Sequence, residues 1–71
     1  MAEWEDHDLY RYDKLIAAWF SPQLNDGDGG CVWVVCYSEG WCIEPGEGTA
    51  LLAGPFETKE AAMLAAELMF E

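Results

Sequence analysis

Seventy-one residues suffice for one domain but not two, and a chain this short buries only roughly 60% of its unfolded surface, which leaves no room for a large enclosed cleft. Fourteen acidic residues against three Lys and Arg give a formal net charge of −11, so nucleic acid and anionic membranes are repelled and cationic protein surfaces attracted. A hydrophobic fraction of 52%, with four Trp, three Tyr and three Phe, excludes the disordered class.

Residues 1–8, with Glu3, Glu5, Asp6 and Asp8 around Trp4 and His7, read as an acidic lead-in, expected to be mobile in part. Leu9, Tyr12, Leu15, Ile16, Trp19 and Phe20 then recur at three- and four-residue steps, the stripe of an amphipathic helix. Asp6 or Asp8 caps its start, and Ser21-Pro22 ends it. Asn25 to Gly30 is a loop by composition, and Cys31–Tyr37, rich in β-branched and aromatic residues, predicts the central strand. Ser38-Glu39-Gly40 fits a three-residue hairpin loop with Gly40 in the left-handed position. That register sets Tyr37 opposite Trp41, Cys36 opposite Cys42 and Val35 opposite Ile43, and puts Trp33, Val35, Tyr37, Trp41 and Ile43 on one aromatic face.

The second strand ends near Glu44-Pro45, and Thr49–Ala53 predicts a third strand, although its short apolar run also suits a helix. Gly54-Pro55-Phe56 breaks it, and Glu57 or Thr58 caps a C-terminal helix built from Ala, Leu and Met. The predicted fold is α+β: a three-stranded antiparallel sheet packed against an N-terminal and a C-terminal helix, in a single domain over residues 1–71.

No apolar run reaches the roughly 20 residues that span a bilayer, and the N-terminus lacks the cationic and apolar regions of a signal peptide, so a cytoplasmic location is expected. There Cys31, Cys36 and Cys42 stay reduced; Cys36 and Cys42, opposite in the predicted register, would join only under oxidation, and as buried thiols they act as small hydrophobes. Cys31 and Cys36 point to opposite faces of one strand, unlike the close cysteine pair of a zinc knuckle. Asp26-Gly27-Asp28 opens like a calcium loop, but Gly30 stands at the third ligand position and Tyr37 where the closing glutamate belongs. His7 is far in sequence from any Ser, Cys or Thr nucleophile, and no glycine-rich phosphate loop precedes a lysine. The chain is therefore expected to be no enzyme and to need no cofactor or metal.

The carboxylates are more organised than this. At about 100° per residue, Glu57, Glu60, Glu67 and Glu71 fall within an arc of about 80° on the last helix, with Glu60 and Glu67 roughly 10 Å apart along its axis. With Glu39 at the hairpin tip, Glu44, Glu47, Asp26, Asp28 and the N-terminal group, they could stand in for a phosphate backbone; otherwise they are a solvated helix face. Trp4, flanked by Glu3 and Glu5, is either an exposed contact anchor or a lid over the sheet.

Gly54-Pro55-Phe56-Glu57-Thr58-Lys59-Glu60-Ala61 looks like the strand-to-helix junction of small phage and bacterial proteins. The whole-chain profile, a tiny lone domain with large negative charge and a compact sheet-helix plan, resembles phage-encoded anti-CRISPR proteins that imitate DNA. That resemblance implies an inhibitor, monomer or homodimer, in the host cytoplasm. Its carboxylates would fill the Lys- and Arg-lined groove of a nucleic-acid-binding complex, a type I (Cascade-like) CRISPR surveillance complex, and block target DNA. The alternative is a protein interaction module, antitoxin-like or an accessory subunit, docking through its aromatic face.

Overall fold

The computed structural model describes residues 3–11, 13–25, 31–45 and 52–70, with the backbone alone for Arg11 and Asn25. The predicted α+β plan of two helices on three strands is overturned: the chain is mostly β. Its elements are β1 (Glu5–Asp6), β2 (Leu9–Arg11), β3 (Lys14–Ile16), β4 (Ala18–Asn25), β5 (Cys31–Tyr37), β6 (Gly40–Glu44), β7 (Ala53–Phe56) and α1 (Lys59–Phe70). One antiparallel sheet has the order β1-β4-β5-β6-β7, and β2 pairs with β3 in a second, two-stranded sheet.

The N-terminal helix gives way to strands for a reason visible in its own spacing. Leu9 and Ile16, seven apart, would neighbour each other on a helix, but they are also cross-strand partners in the β2–β3 hairpin, as are Tyr10 and Leu15. Asp13 turns this hairpin with φ 60°, a left-handed conformation that Asp and Asn tolerate through local side-chain hydrogen bonding. Beyond it the aromatic pair Trp19 and Phe20 enters β4, facing Val34 and Trp33. Pro22, expected to stop a helix, lies exposed in β4 where the register shifts between Ser21 and Asn25, a place in a sheet where a missing N–H is tolerated.

Central strand β5 forms as predicted, but the hairpin after it is one residue tighter. Tyr37 pairs with Gly40, Cys36 with Trp41, Val35 with Cys42, Val34 with Ile43 and Trp33 with Glu44. Gly40 is needed for close approach: its φ is +138°, and a Cβ there would stand 2.5 Å from the Phe56 carbonyl oxygen of β7. A one-residue slip exchanges faces, so Trp41 and Ile43 point away from Trp33, Val35 and Tyr37, and Cys36 and Cys42 lie on opposite faces as free thiols. The third strand also moves: Gly54, Pro55 and Phe56, expected to end a strand, are inside β7, while residues 49–51 lie outside the described residues.

The C-terminal helix is present, and Thr58 Oγ1 accepts a hydrogen bond from the Ala61 N–H at 3.1 Å, capping its first turn. Ala62 and Ala66, one turn apart and fully buried, bring it close onto Leu24, Val32, Val34 and Ile43, with Trp4, Trp41 and Phe56 packed around this core. The opposite face of the sheet carries buried Ala18, Val35 and Cys42, and β3, which runs into β4 through Ala17, contacts β5. The helix thus covers one face of the five-stranded sheet. No described helix is long and apolar enough to cross a membrane.

Candidate functional site

The expected acidic stripe on the helix is broken up. Glu57 precedes the helix, and Glu60, in its first turn, is exposed and lies 3.8 Å from Lys59 Nζ. Both sit at the positive end of the helix dipole, which offsets part of their charge. Glu67 is half-buried and accepts a 3.0 Å hydrogen bond from the Trp4 indole N–H. Trp4 is thus the lid of the two readings offered, packed on the core and tying the first segment of the chain to the last. Glu71, Glu47, Asp26 and Asp28 lie outside the described residues.

Glu44 is not on the surface. It is 3% exposed, and the Tyr37 hydroxyl donates to its Oε2 at 2.5 Å. Trp33, not Tyr37, is its cross-strand neighbour, so the phenol has to lean along the sheet past Val35 and Cys42 to reach it. Glu44 therefore belongs to the interior, on the face of the sheet away from the helix.

Two groups of exposed carboxylates remain. Glu3, Glu5, Asp6 and Asp8 follow the edge strand β1, whose position is set by Glu5 pairing with Phe20, Asp6 with Trp19, and the Glu3 N–H bonding Gln23 Oε1 at 2.9 Å. The lead-in is thus partly stitched to the sheet. On the far side, Trp41 pairs with Phe56, so the following Glu57 lies level with the β5–β6 tip that carries Glu39, and Glu60 comes one helical step later. The strand register brings Glu57 beside the hairpin tip that carries Glu39, and Glu60 follows three residues later in the first turn of α1, an association that counting along one helix cannot find.

The aromatic side chains are divided as well. Phe20 and Trp33 lie 4.9 Å apart on the face away from the helix, with His7 edge-on to both at 5.8 and 5.7 Å. Trp41 and Trp4 are on the helix side, and Lys59 Nζ sits 4.2 Å from the Trp19 ring centroid. A single aromatic docking face over Trp33, Val35, Tyr37, Trp41 and Ile43 is not formed.

Cys42 is poorly suited to nucleophilic chemistry. Burial raises the Cys42 pKa above the ordinary thiol value, and Glu44, Glu39 and Cys36 add to the effect, so the group stays protonated and a poor nucleophile. No cluster of three or more His, Cys, Asp or Glu side chains suited to a metal occurs among the described residues.

The surface holds one feature that the charge pattern hid. Leu64 and Leu68 are 59% and 79% exposed on the outer side of α1, while Ala62 and Ala66 face the core. An apolar helix whose small residues recur at 62 and 66 and whose leucines recur at 64 and 68 has two apolar sides, and this is the signal that could have revealed it. No family model, curated protein or solved structure matches the chain.

Proposed function

We propose that this chain is a non-catalytic, acidic binding protein that occupies a cationic, nucleic-acid-binding surface of another protein and keeps nucleic acid from it. It would act in the cytoplasm, and a type I CRISPR surveillance complex is the target class its profile suggests. The observation that carries this reading is the grouping of Glu39, Glu57 and Glu60 by the strand register in a chain with net charge −11. Lysines and arginines in the partner's groove would exchange their bound anions for an ordered set of carboxylates, the counterion-release logic of nucleic-acid binding with the roles reversed.

The test is capture by tagged protein from bacterial lysate at low and high salt, with duplex DNA as competitor. Recovery of a nucleic-acid-binding complex that salt releases and duplex displaces is the expected result. A partner that is retained in high salt and indifferent to duplex would refute the reading.

A further inference from the structure

Leu64 and Leu68 stand in an unusual setting. At about 100° per residue, Glu60, Leu64, Leu68 and Ala61 fill one outward arc of about 100°, and Glu67 flanks it. The buried alanines 62 and 66 lie on the opposite side of the helix. The outer face is therefore a leucine ridge with carboxylates along one margin. The spacing of 61, 64 and 68 is that of anchors used when one helix packs on another partner's apolar surface.

Area and charge decide between occupants. A 12-residue helix presents an outer face about 18 Å long and about 10 Å wide, the footprint of one packed helix rather than of a whole-domain interface of roughly 800 Å² per partner. A second copy would add little more than leucine contacts and would bring one charge of −11 against another. A cationic helix with an apolar seam satisfies both features of the ridge: its leucines or similar residues cover Leu64 and Leu68, while lysines or arginines meet the exposed Glu60 and the net charge of −11.

We infer that the outer face of α1 is a docking surface for a cationic amphipathic helix of a partner protein. This deepens the proposed function and rests on it for the nature of the partner. It adds an apolar anchor to an interaction otherwise governed by charge. The anchor fixes the orientation of the acidic group and lengthens the lifetime of the complex, whereas the charges speed encounter.

The probe is a fluorescein-labelled, capped synthetic helix of leucine, lysine and alanine, titrated with the full chain and followed by anisotropy. The Leu64→Ala/Leu68→Ala double variant, at exposed positions where alanine favours helix, should keep the far-UV spectrum yet bind at least about tenfold more weakly, since two leucines lose apolar burial. A peptide with glutamine for lysine should also bind more weakly. Equal binding by the double variant overturns the inference. So does sedimentation equilibrium showing a wild-type dimer that the double variant dissolves, which assigns the ridge to a second copy. Peptide binding that survives while duplex fails to compete for the captured partner would sink the proposed function alone.

Discussion

The hydrogen bond between Trp4 and Glu67 offers the sharpest test of the structure, because it joins residues 63 apart and removes one carboxylate from the expected acidic stripe. Trp4→Phe keeps most of the ring while deleting the indole donor, and Glu67→Ala deletes the acceptor on a helix that favours alanine. A hydrogen bond to a charged group is worth about 1.5–3 kcal/mol when shielded, and both partners here are only half-buried, so a coupling of about 1 kcal/mol is expected. The assay is a double-mutant cycle in urea unfolding followed by circular dichroism. For a domain of this size, that coupling corresponds to about 4–8 °C in Tm. Two single variants whose effects add to within about 0.3 kcal/mol would refute the contact, since that is how independent sites behave.

Other expectations follow from the same geometry. Gly40→Ala should destabilise by about 1–3 kcal/mol, read from the urea midpoint, because φ +138° and the nearby Phe56 carbonyl both oppose a Cβ. Lys59→Met should cost about 0.5–1 kcal/mol of stability, read from the urea midpoint, through the lost cation–π contact with Trp19. Glu39→Gln, Glu57→Gln and Glu60→Gln should each weaken partner capture by only about 0.2–1 kcal/mol, and together abolish most of its salt dependence. Because Cys42 has a raised pKa in the folded protein, its contribution to stability is complete below the unfolded thiol value of about 8.5 and is lost as pH rises beyond it. Urea midpoints from neutral to alkaline pH, compared with those of Cys42→Ala, measure this; a parallel pH dependence in the two proteins contradicts it.

What the sequence makes legible is what local chemistry determines alone. β5 follows from its run of Val, Trp, Cys and Tyr, and α1 from its alanines and the Thr58 cap. The first twenty residues mislead because a seven-residue interval serves both a helical stripe and a hairpin, and only the sheet waiting to pair with Trp19 and Phe20 selects strands. The β5–β6 register goes with a close approach of Gly40 to Phe56 of β7, a contact that no local reading contains. Among site residues the same division holds. Glu60 and Glu39 are exposed as their positions suggest, but Glu44 is buried and Glu67 engaged by partners distant in sequence. Leu64 and Leu68 are not legible as surface residues because apolar helix residues are ordinarily assigned to a core, and here Ala62 and Ala66 supply the helix's buried contacts.

The two margins of the main sheet are guarded differently. β1 presents Glu5 and Asp6, whereas β7 contains Pro55, which withdraws one backbone donor. A guard made of charge is screened as ionic strength rises, and a missing N–H is not. If concentrated protein associates edge to edge in salt, β1 of one copy should therefore meet β1 of another, a two-fold contact that consumes both open margins. Joining β1 to β7 would leave a fresh margin at each step and propagate a fibre, and Pro55 stands against that geometry.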